Sequence, residues 1–173
     1  MNREVSEGDL ACIGRQLQRE PRDVHAISYR CPCGKPAVVE TPPRLSDGTP
    51  FPTFYYATCP KLTGAISTLE NGGLMAEMNE RLQRDPELAG AYAAAHEDYL
   101  AARAALGIEV PEVEGISAGG MPDRVKCLHS LVAHSLAVGP DLWDCLWGRC
   151  GIDSRCSEGV SRNSRSHHHH HAQ

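Results

Sequence analysis

The sequence predicts an α+β domain, in which a small three-stranded antiparallel meander packs against a helical half of about four helices. Three observations carry this. Residues 24–58 hold three short runs of β-type residues separated by proline and glycine turns. Residues 61–106 hold three apolar stripes at helical spacing, and residues 118–138 hold a fourth that is apolar on two faces.

Residues 1–23 contain one or two helical turns, with Cys12, Ile13 and Leu17 as the apolar positions, and Cys12 reads as a small packed hydrophobe. The first strand follows at 24–30 (VHAISYR), ended by the turn residues Cys-Pro-Cys-Gly. The second lies at 37–41. Pro42-Pro43 and Ser46-Asp47-Gly48 then reverse the chain, and 52–58 (PTFYYAT) form the third. In an up-down-up meander the first and third strands end at the same edge. This places Cys31 and Cys33, at the end of the first strand, beside Cys59, at the end of the third.

Helical spacing resumes at 61–71 with Leu62, Ala65, Ile66 and Leu69, stopped by Gly72-Gly73. Residues 74–84 repeat it with Leu74, Met75, Met78 and Leu82, the methionines serving as core filler. Asp85-Pro86-Glu87 combines an N-cap, a first-turn proline and an acidic first turn, and opens the longest helix, which reaches Leu106. His96 on that helix reads as a half-exposed structural histidine. Residues 108–115 are an acidic, proline-broken linker. Gly119-Gly120 and Pro122 then lead into a helix that runs to Val138, before Gly139-Pro140 ends it. Val125, Leu128, His129, Val132 and Leu136 fall on one face, and Cys127, Leu131, His134 and Val138 on nearly the opposite one.

The chain reads as one domain over residues 1–138 with a divergent tail at 139–173, whose Ser/Arg-rich composition suits disorder. Cys145, Cys150 and Cys156 in that tail fit no metal-binding spacing, and the histidine run at 167–171 is set aside from fold reasoning. A net charge of -5 with both signs interspersed argues against nucleic acid or an anionic membrane surface as the main partner. The N-terminal stretch shows no secretory pattern and no segment is long and apolar enough to span a bilayer, which predicts a cytoplasmic location. In that reducing compartment eight cysteines favour free thiols or metal ligands over disulfides.

A structural zinc site, thiolate-rich and closed to further ligands, is therefore the leading expectation, with Cys59, one or both of Cys31 and Cys33, and either Cys127 or His134 as ligands. On a straight helix Cys127 and His134 are separated by about 10 Å of rise, so only one readily joins a shared ion. His129 is a further candidate. The rival is an enzyme with Cys127 or Cys59 as thiolate nucleophile and His129 or His134 as base, in which Arg124 and Lys126 bind an anion at a helix start.

The phrases GRQL at 14–17, RCPCG at 30–34, DGTPFPT at 47–53, TCP at 58–60, HEDYLAAR at 96–103 and GGMPDRVKCLHSLVAH at 119–134 resemble, in order and spacing, the bacterial domain-of-unknown-function family 501. The resemblance covers about residues 14–138 and implies no reaction. It directs attention to Cys59, Cys127, His129 and His134, with Cys31 and Cys33 beside them. It also implies proximity to genes for exopolyphosphatase-like and septum-formation proteins, from which an adaptor linked to cell division or polyphosphate metabolism, bound to an unknown protein partner, is the third expectation. After Gly139 the chain departs from the asparagine-proline ending of the family.

Overall fold

The computed structural model describes residues 2–139; the tail expected at 139–173, with its three cysteines and its histidine run, lies outside the described residues beyond Gly139. Five α-helices and three strands follow in the order α1 (Glu7–Leu17), β1 (Ala26–Arg30), β2 (Pro36–Glu40), β3 (Tyr55–Ala57), α2 (Pro60–Asn71), α3 (Leu74–Arg84), α4 (Pro86–Ala104) and α5 (Leu128–Val138), with one 3-10 turn at Pro111–Val113. None of these helices is long and apolar enough to cross a membrane.

The strands form the expected antiparallel meander, in the order β1-β2-β3. β2 is central and buried along its whole length, because both faces of the sheet are covered. Val39 and Ile27 pack with Ile13 of α1 on one face, while Val38 belongs to the large core formed with α2, α3, α4 and α5 on the other. A central strand covered on both sides reads as an apolar run, which is why Ala37-Val38-Val39 does not alternate with polar residues.

α1 is a full helix of 11 residues where the sequence predicts a turn or two. Its apolar content is small, but Ser6 and Asp9 cap each other's backbone N–H groups in a reciprocal box. Arg30 then ties the helix to β1, donating from both terminal nitrogens to Asp9 at 2.9 and 2.8 Å. That guanidinium holds the Asp9 carboxyl far below the usual carboxylate range.

α4 is the pillar of the core. Asp85 caps it by accepting from the backbone N–H groups of Glu87 and Leu88, and Tyr92, Ala95 and Tyr99 along its buried stripe are fully enclosed. The Tyr99 hydroxyl accepts from the backbone N–H groups of Phe54 and Tyr55 at 2.6 and 3.2 Å, where the chain enters β3. Tyr99→Phe keeps the ring and strands both buried donors, so we expect it to destabilise the fold by about 1–3 kcal/mol, read from denaturant midpoints. His96 is more enclosed than expected, 9% exposed, with Nδ1 2.7 Å from the hydroxyl of Ser117.

The largest departure from expectation precedes α5. The helix predicted from Pro122 begins only at Leu128, and residues 118–127 form a tightly wound loop. Gly119 and Gly120 both have positive φ, +67° and +90°, and the loop is closed by the Lys126 N–H donating to the carbonyl of Gly119 at 2.7 Å. Contacts from other helices hold it in place. Asn79 of α3 donates to the carbonyl of Val125 at 2.9 Å and accepts its N–H at 2.7 Å, and the Tyr92 hydroxyl donates to the carbonyl of Arg124 at 3.0 Å. These bonds satisfy the backbone groups that a helical start would otherwise need to cap.

Candidate metal centre

The late start of α5 brings Cys127 to its N-cap position, followed by Leu128 and His129 in the first turn. α5 packs against α2, whose last turn carries Glu70. Glu70 Oε2 accepts the otherwise orphaned N–H of Leu128 at 2.9 Å and lies 3.2 Å from His129 Nδ1. Among the described residues, Glu70, Cys127 and His129 are the one group of three or more potential ligands whose donor atoms all lie within 4.8 Å of one another. All three are partly exposed.

The surroundings orient this trio. Ser67, one turn before Glu70, places Oγ 3.4 Å from His129 Nε2, and the Ser130 hydroxyl reaches Cys127 Sγ at 3.8 Å. Such outer contacts fix ring orientation and sulfur position before any ligand arrives. Cys127 and His129 also line an open cleft of about 530 Å³ that runs along the unpaired edge of β3. Gln16 and Leu17 of α1 and Pro60 and Thr63 of α2 complete its walls.

The other residues singled out in the sequence lie elsewhere. Cys31 and Cys33 are joined in a disulfide. Cys59 is a buried free thiol at the N-cap of α2. It belongs to the same large core as Cys31. Arg124 and Lys126 are exposed on the glycine loop and do not line the cleft.

His134 is fully buried, with Nε2 2.9 Å from Asp98 Oδ2. Its ring stacks on Tyr55 at 5.4 Å and meets the edge of Tyr99 at 5.1 Å. Burial pushes its pKa below the ordinary 6.5, and the Asp98 carboxylate only partly opposes this. The unfolded chain then takes up a proton near pH 6.5 that the folded state refuses. Stability contributed by the neutral ring is present above that pH and is lost as pH falls below it. We expect denaturant midpoints to drop between pH 7.5 and 5.5, and His134→Gln, though weaker at both, to flatten that slope.

Sequence reasoning missed Glu70. It stands 57 positions before Cys127 and reads as an ordinary solvated acid at a helix end. The Cys-x-His spacing of 127 and 129 was the usable signal, hidden by the assumption that both lay within one continuous helix, on different faces.

No curated protein and no solved structure is matched by the chain. The model of a family described as a protein of unknown function, DUF501, matches residues 27–142. That span contains the sheet from Ile27 onward, the glycine loop and all three members of the trio, and the chain belongs to this family.

Proposed function

We propose that the chain is a metal-binding domain that holds a divalent ion, zinc by the chemistry of its donors, through Glu70, Cys127 and His129, with a fourth position open to the cleft. The observation that carries this reading is the convergence of a thiol, an imidazole and a carboxylate from two helices within 4.8 Å. One thiolate and one carboxylate neutralise a doubly charged cation. Zinc bonds of about 2.0–2.3 Å give donor-to-donor separations of about 3.4 Å around a tetrahedron, close to the 3.2 Å between His129 Nδ1 and Glu70 Oε2. Three protein ligands beside an open cleft are the arrangement of ions that act on a bound molecule. The ligand set suggested by spacing alone, with Cys31, Cys33 and Cys59 joined by Cys127 or His134, requires the 31–33 pair to be reduced and stands as the competing assignment for the same ion.

A second reading uses the same trio without metal. Glu70 orients the His129 ring, and the imidazole beside Cys127 is the arrangement of an activated thiol nucleophile. Iodoacetamide labelling of Cys127, followed by peptide mass spectrometry, separates the two. If the thiol is a zinc ligand, zinc protects it and a chelator exposes it. Rapid labelling that neither zinc nor chelator changes would favour the nucleophile.

A further inference from the structure

The hairpin turn that joins β1 to β2 holds a group that the metal reading does not use. Cys31 and Cys33, with Pro32 alone between them, are joined in a disulfide, while Cys12, Cys59 and Cys127 are free thiols. A cross-link that closes so short a loop removes little entropy from the unfolded chain, because that gain grows with the length of the loop closed. The turn is also closed without it. Cys31 N–H donates to the Lys35 carbonyl at 2.9 Å, and Gly34 N–H donates to the Cys31 carbonyl at 2.8 Å. The Arg30 guanidinium, anchored on Asp9, donates to the Gly34 carbonyl at 2.9 Å. Gly34 supplies the positive φ, +92°, that this path requires. The sulfur–sulfur bond is thus redundant as a staple, and these contacts keep the two Cα atoms 5.3 Å apart when it opens.

The two sulfurs differ in access. Cys31 is 5% exposed and belongs to the large core, whereas Cys33 is half-buried at the edge of that core, between exposed Pro32 and Gly34. A thiol arriving from solvent meets Cys33, and Cys31 is the sulfur left behind. The turn carries Lys35 and no acidic residue, a setting that favours thiolate over thiol in the reduced pair.

We propose that Cys31 and Cys33 form a thiol–disulfide exchange centre that trades two electrons with an external dithiol, Cys33 being the sulfur attacked and Cys31 the one that resolves. A thiolate of the dithiol attacks Cys33 Sγ. An intermolecular S–S bond forms as the bond between the two cysteines breaks, and the electron pair leaves on Cys31, which takes up a proton. The second thiolate of the dithiol then attacks its own partner sulfur in the mixed disulfide and releases Cys33, which takes up the other proton. The cysteine pair is reduced, and the dithiol leaves as a disulfide. In the reverse direction Cys33 attacks a disulfide and Cys31 resolves the mixed species. The centre stands on the hairpin alone, apart from the trio on α2 and α5.

The test equilibrates full-length protein in glutathione buffers running from fully reduced to fully oxidised. Acid quenching, differential alkylation and tandem mass spectrometry read the state of residues 31 and 33, with circular dichroism on the same samples. The pair should pass reversibly between dithiol and disulfide within the series while the fold is unchanged. Cys33 in Cys31→Ser should take up glutathione from its disulfide at least about tenfold faster than Cys31 does in Cys33→Ser, because access sets which sulfur reacts. The same order is read in reduced wild-type protein, where brief iodoacetamide treatment should alkylate Cys33 about tenfold ahead of Cys31, so the result does not depend on the buried variant folding. A pair that stays reduced throughout the series, that opens only when the protein unfolds, or whose sulfurs react at equal rates overturns the proposal. Protection of the pair from oxidation by one equivalent of zinc also overturns it, since both sulfurs would then belong to the competing ligand set. Exchange that zinc leaves unchanged supports the centre, whether or not the trio holds the ion.

Discussion

Replacing Cys127 with alanine should lower zinc affinity by at least about 100-fold while leaving the fold intact. The loss should exceed the 10–100-fold typical when a residue that merely supports a ligand is removed, because a direct thiolate bond disappears. The thiol lies at a half-exposed N-cap whose side chain makes no capping bond, so its removal leaves no large cavity. Glu70→Gln should weaken zinc binding too, but it keeps an oxygen for the Leu128 N–H. Cys59→Ser gives the control. Cys59 is 8% exposed within the large core, so serine there should cost stability and, in protein that remains folded, leave zinc affinity unchanged. Competition titration against a chromophoric chelator reads all three variants, and the histidine run contributes equally to each.

Gly120→Ala should be among the most damaging single substitutions, at about 2–4 kcal/mol. A Cβ at this position would sit 2.6 Å from the carbonyl oxygen of Arg124 and 2.9 Å from Cβ of Lys126, with φ at +90°. Neither neighbour can withdraw readily, because the Arg124 carbonyl is held by the Tyr92 hydroxyl. Opening the loop would also disturb the Asn79 clamp on Val125 and, two residues later, the position of Cys127. The variant should therefore lose zinc affinity as well as thermal stability, although Gly120 supplies no donor atom to the trio. Gly115→Ala, with φ at +76° but nothing within 4 Å of the added Cβ, should cost only the backbone penalty, on the order of 1–2 kcal/mol.

Much of the fold was legible because its boundaries are set by local chemistry. Gly72-Gly73 and Asp85-Pro86 divide α2, α3 and α4 where the sequence predicts, and the proline and glycine turns divide the strands in the order observed. The beginning of α5 was not legible. The residues from Pro122 to Cys127 suit a helical first turn locally, and what prevents it is tertiary. Asn79 and Tyr92 each bind backbone of the loop, while Glu70 takes the N–H that marks the true start. The trio was hidden for the same reason. Its carboxylate comes from a helix distant in sequence, and the proximity of Cys127 and His129 to it depends on the helix beginning where it does. His134, by contrast, drew attention as a possible ligand because of its residue type. A helix apolar on two faces is expected to be buried, but the neighbours that enclose His134, namely Tyr55, Tyr99 and Asp98, could not be inferred from helical periodicity.

In the proposed site the ion is held by one sulfur and two lighter donors from the protein. X-ray absorption at the zinc edge, on protein loaded with one equivalent and compared with its Cys127→Ala variant, tests it directly. Ligation by Glu70, Cys127 and His129 gives a first shell with a single sulfur at about 2.3 Å and oxygen or nitrogen donors at about 2.0–2.1 Å, and the variant loses the sulfur. Two or more sulfurs would place the ion among Cys31, Cys33 and Cys59 instead, and a shell of nitrogen and oxygen alone in the unaltered protein would show that Cys127 is not a ligand.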